Sequence, residues 1–69
     1  MKLHYYPETD SLYIELSLQT SIESTEIQPG IVLDFDENKQ LVGIDIQRAS
    51  HNVDLTRIEA ESLPLQAFA

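Results

Sequence analysis

The sequence has no cysteine, no tryptophan, two glycines and four basic residues, and each shortage excludes a class of chemistry. Without thiols there are no disulfides, no thiolate nucleophile and no cysteine-ligated zinc. Gly30 and Gly43 each fall in or at the entry of a strand-like run, so no glycine-rich loop exists to cradle a phosphate and no cofactor signature is present. Four Lys and Arg against twelve Asp and Glu give a formal charge of −8. That charge repels nucleic-acid backbones and anionic headgroups, which disfavours direct nucleic-acid or membrane binding, and it suits a small basic protein partner. Long apolar runs are also missing: crossing a bilayer takes roughly 20 such residues, and "MKLHYYPETD" carries no apolar leader core. The expected location is the cytoplasm.

What is there is a patterned chain of 69 residues, 42% hydrophobic, read as a single domain over 1–69. A chain this short buries only roughly 60% of the surface that its unfolded form exposes. With disulfides excluded, self-association is the available stabiliser, and a homodimer is expected.

Period-two alternation dominates the first two thirds. Leu3 and Tyr5, then Leu12, Ile14 and Leu16, then Ile31, Leu33 and Phe35, then Val42, Ile44 and Ile46 read as four strands sharing one oily face. Turn residues separate them at Pro7-Glu8-Thr9-Asp10 and Asp36-Glu37-Asn38-Lys39. Opposed residues of an antiparallel pair point to the same side, so a loop over 7–10 sets Tyr6 against Ser11, Tyr5 against Leu12 and Leu3 against Ile14. A loop over 36–39 likewise sets Phe35 against Gln40, Leu33 against Val42 and Ile31 against Ile44. Any pairing of residues 25–28, just before Pro29-Gly30, must be an edge or be set off by a bulge.

The second face then opposes His4 to Tyr13, Lys2 to Glu15, Val32 to Gly43 and Asp34 to Leu41. It is more apolar than solvent requires, and Tyr6, Tyr13, Val32 and Leu41, with Phe68 of the tail, are the candidate partner-binding residues. The sheet is expected over about 2–48. From Ala49 the period changes, and Asp54 can cap a short helix over about 54–62 with Leu55 and Ile58 inward, ended by Pro64. The expected fold is α+β: an antiparallel four-stranded β-meander of two hairpins, with a short C-terminal helix packed on one face.

The stretches "YYPETDSLYIEL" and "GIVLDFDENKQLVGIDIQRAS" resemble the small bacterial proteins of domain-of-unknown-function family 2283, also called YuzE-like, over roughly residues 3 to 50. Tyr5, Asp10, Leu12, Tyr13, Asp34, Asp36, Gly43, Ile44, Asp45, Ala49 and Ser50 carry the resemblance. Tyr6 stands where such proteins commonly have Asp, and Lys39 where a turn Gly is usual. The resemblance implies an α+β domain on an antiparallel sheet and, through members that look like partners of small toxin-like proteins, an antitoxin-like role.

Chemical candidates are few. Asp34, Asp36 and His4 are the candidate ligands of a divalent cation, but the second-hairpin register separates Asp34 from Asp45 by ~13 Å at strand rise. An Asx-type bond from Asp36 to the turn backbone accounts for that carboxylate more simply. Adjacent Ser50 and His51 do not form a nucleophile and base, since neighbouring side chains point apart, and Ser50 reads as a strand terminator. The sequence is thus read as a non-catalytic, cytoplasmic interaction module. Small-ligand or divalent-cation binding by the acidic hairpin is the alternative.

Overall fold

The computed structural model describes residues 1–64. Its elements are β1 (Lys2–Tyr6), β2 (Ser11–Glu15), β3 (Glu23–Gln28), β4 (Ile31–Phe35), β5 (Leu41–Ile46) and a single helical turn, α1 (Ala49–Asn52). All strand pairs are antiparallel, in the order β1-β2-β5-β4-β3. The domain is mostly antiparallel sheet with one short helix, as expected, but it has five strands rather than four and is not one continuous meander. A β1-β2 hairpin and a β3-β4-β5 meander meet along β2 and β5, where Leu12 faces Ile46 and Ile14 faces Ile44.

The first hairpin has the expected register throughout, from Lys2 opposite Glu15 to Tyr6 opposite Ser11. The second does not. Ile31 faces Ile46, Leu33 faces Ile44 and Asp34 faces Gly43, two residues away from the expected pairing. Two single-residue adjustments produce this shift. Asp36 and Gln40 close a three-residue loop, with Asp36 N–H donating to the Gln40 carbonyl at 2.9 Å and Lys39 left-handed at φ 62°; a turn followed by an αL residue is a common three-residue hairpin. A bulge then leaves Val42 without a β4 partner, between Asp34–Gly43 and Phe35–Leu41. Each step moves the register by one, so the oily residues return to the oily face.

The extra strand, β3, is not among those expected, but it obeys the limit that Pro29 sets on residues 25–28: it is an edge and it is bulged. Its pairing with β4 shifts between Glu26 and Gln28, a bulge that brings the chain to Gly30, left-handed at φ 87°. Loop 16–22 crosses from β2 to β3 past the ends of β5 and β4, held by Leu16 and Ser17 N–H on the Val42 carbonyl and by Ile22 N–H on that of Phe35.

The expected helix over 54–62 is absent, and the helical turn lies earlier, at 49–52. Asp54 does accept from the Thr56 amide and hydroxyl, at 2.9 and 2.5 Å, but this closes an Asx turn that competes with helix propagation. So short a helix cannot persist without packing, and Val53 and Leu55 instead line a groove with Leu3, Tyr5 and Leu12. Phe68 lies outside the described residues.

The core is small. Val42, Ile46 and Ala49 are its buried apolar residues, and among the described residues no large side chain is fully buried.

Candidate functional site

Three groups of side chains stand out, and the first lies on the polar face. Glu15, Gly43, Asp34 and Ser24 form one cross-strand row, and Tyr13, Asp45, Val32 and Glu26 the next. Tyr13 leans from its row across Gly43, so closely that a Cβ there would collide with the phenol oxygen and its ring carbon. The hydroxyl donates to Asp34 Oδ2 at 2.7 Å, and Ser24 Oγ donates to Oδ1 at 2.6 Å. Burial first, then the bond to Asp34 and the charges of Asp34, Glu15 and Asp45, push the Tyr13 phenol up to about 12. It therefore remains a neutral donor at any physiological pH. Gly43 is needed for this crossing, a role its strand position alone does not reveal.

Asp10 organises the second group. It is left-handed at φ 54°, which Asp tolerates better than most residues. Its carbonyl accepts Ala49 N–H at 2.7 Å, and its carboxylate accepts the Ser50 amide at 3.1 Å, the Ser50 hydroxyl at 2.7 Å and the Tyr5 hydroxyl at 2.8 Å. The preceding residue, Arg48, is left-handed and supplies no side-chain cap. Asp10 thus satisfies the first amides of α1 from a turn forty residues away. The bonds from Ser50 and Tyr5 hold its carboxyl below the ordinary Asp value, and the same contact raises the Tyr5 phenol. Ser50, expected merely to end the strand, is the far half of this tie.

Asp36 has the structural role expected of it. It is buried at 8% exposure, and its Oδ1 accepts the amides of Asn38 and Gln40 at 2.8 and 2.9 Å. Of the other cation candidates, Asp34 is engaged by two hydroxyls, and His4 sits on β1 with its ring 4.2 Å from that of Tyr6. Asp34 and Asp45 are closer than expected: with Asp34 opposite Gly43 and Asp45 opposite Val32 they are diagonal neighbours, about 7–8 Å between backbones. Among the described residues no three His, Asp or Glu side chains are grouped to hold a metal ion.

Of the residues proposed to touch a partner, those that the structure describes lie on four strands, with Tyr13 and Val32 in one cross-strand row through Asp45. Tyr13 is tied to Asp34, Val32 is half-buried opposite Asp45, Tyr6 is exposed on edge strand β1, and Leu41, expected opposite Asp34, pairs with Phe35 at the bulge. The larger open surface is the oily face. Leu3 and Tyr5 are 48% and 40% exposed, and Leu12, Ile14, Leu33 and Ile44 are only half-buried. A half-open groove of about 480 Å³ runs along it, lined by Leu3, Tyr5, Leu12, Val53, Asp54, Leu55 and Ile58.

The architecture is that of a small, mostly antiparallel β domain with a one-sided sheet and a single helical turn. Residues 2–50 match the model of a family described as a protein of unknown function (DUF2283), and the chain belongs to that family. No curated protein and no solved structure was found to match it. No helix among the described residues is long and apolar enough to cross a membrane.

Proposed function

We propose that the chain is a non-catalytic protein-interaction module that self-associates and offers its oily sheet face to a protein partner. The observation that carries this reading is the uncovered face. Apolar residues stand on all five strands, yet among the described residues the buried apolar ones are Val42 and Ile46 of β5 and Ala49 of α1.

The net charge of −8 favours a small basic partner, in keeping with an antitoxin-like role in the cytoplasm. Binding of a small ligand or divalent cation through the acidic hairpin has less support, because Asp36 Oδ1 already holds two amides and Asp34 two hydroxyls. Affinity capture from lysate followed by mass spectrometry tests the partner reading. A basic protein retained at low salt, released at high salt and lost with Leu33→Glu is expected; specific capture of nothing counts against it. Sedimentation velocity tests self-association, and a monomer at high micromolar concentration removes that part.

A further inference from the structure

We infer that two copies of the chain join along their β1 edges, antiparallel, into one continuous ten-stranded sheet. This rests on the self-association reading above and adds where and in what register it occurs. The sheet has two edges, β1 and β3, and they are built differently. Edge β3 is guarded: its pairing is broken by a bulge between Glu26 and Gln28, and it carries Glu23 and Glu26. Bulges and charges along an edge are ordinary means of preventing strand addition. A proline follows each edge strand, Pro7 after β1 and Pro29 after β3, but β1 has no bulge, and its one charge is Lys2 at its first residue. It pairs with β2 without a register shift from Lys2 to Tyr6, every residue in it is exposed, and among the described residues its backbone bonds only to β2 and to the turn at Thr9.

Charge selects the same edge. Every other strand carries a carboxylate, namely Glu15 on β2, Glu23 and Glu26 on β3, Asp34 on β4 and Asp45 on β5. β1, Lys-Leu-His-Tyr-Tyr, has none and holds one of the four basic residues. For a chain of charge −8, two copies repel least where this strand meets itself.

The register follows from symmetry. A two-fold axis at His4 engages the whole strand, setting Lys2 against Tyr6 of the partner subunit, Leu3 against Tyr5 of the partner subunit, and His4 against His4 of the partner subunit. Opposed antiparallel residues share a face, so Leu3 and Tyr5 of both copies stand on the oily side. Each Lys2 ammonium meets a Tyr6 ring, a favourable cation–π pairing. The seam thus merges two half-open oily faces into one of double width, available to the partner invoked above.

Because the chain has no cysteine, a single introduced thiol reports on this seam. His4→Cys places two thiols at the axis, within the Cα separation a disulfide accepts, and Thr25→Cys marks the centre of the other edge. Wild type is expected to sediment as a dimer, and His4→Cys to oxidise to a covalent dimer about tenfold faster or more than Thr25→Cys at equal concentration. Amide exchange in wild-type β1 should slow as concentration rises. A dimer in which Thr25→Cys cross-links as fast as His4→Cys, or in which β1 protection is independent of concentration, overturns the edge assignment and leaves self-association standing. A monomer at high micromolar concentration overturns both.

Discussion

On one face of the sheet Tyr13 lies over Gly43 and donates to Asp34, which also holds Ser24; on the other, Leu3 and Tyr5 stand 48% and 40% exposed beside the irregular segment 53–58. The polar face finds its partners within one chain, because hydrogen-bonding groups need one correctly placed neighbour. The oily face does not, because apolar burial needs a whole covering layer and the described residues hold no helix long enough to supply one. The face that looks designed for solvent is the finished one, and the face that looks like a core is open.

Substitutions can break or sharpen that contrast. The largest loss is expected at Ile46→Ala, one of the few buried apolar positions, at about 2–4 kcal/mol by urea unfolding. Gly43→Ala forces the new methyl into Tyr13 and should cost about 1–3 kcal/mol. If the Tyr13 crossing is the cause, the penalty largely disappears in a Tyr13→Ala background; a penalty that persists there sinks this account of the polar face. Tyr13→Phe keeps the ring and removes the donor, for a loss of about 1 kcal/mol.

The same tyrosine predicts an alkaline dependence. Its folded phenol titrates at about 12, against about 10 in the unfolded chain. The folded form therefore holds the proton more tightly, and this contribution is complete below pH 10 and lost as pH rises toward 12. The raised Tyr5 phenol acts with the same sign. In Tyr13→Phe the alkaline decline should be shallower, as read from melting temperatures across that range. The smallest effect belongs to neither face: Lys39→Gly relieves a left-handed lysine and should raise stability by about 0.5–1 kcal/mol.

Much of this was legible in the chain. Parity and the turn residues over 7–10 gave the first hairpin its full register, the composition of the second turn placed the Asp36 bond, and Pro29 limited residues 25–28 to an edge or a bulged pairing. What was not legible shares a physical cause. Strand β3, Glu-Ser-Thr-Glu-Ile-Gln, is held by backbone pairing at an edge and so carries no oily alternation to read. The three-residue loop and the bulge at Val42 each move the backbone register by one, so the second hairpin slid by two residues without disturbing the side-chain pattern. Helix α1 forms where Asp10 receives its first amides, a contact between distant residues that no local window contains. The Tyr13–Asp34 contact was hidden by the misplaced register, although an Asp and a Gly among strand residues were its visible traces.

The adjacency of β2 and β5 divides the molecule into two recombinable pieces. Loop 16–22 is the sole covalent link between the β1-β2 hairpin and everything that follows, while the ladder from Leu12–Ile46 to Glu15–Gly43 and the Asp10–Ser50 tie join the same two parts without it. A protease cut in that loop should leave a nicked but assembled domain, and the two fragments expressed apart should reconstitute it on mixing.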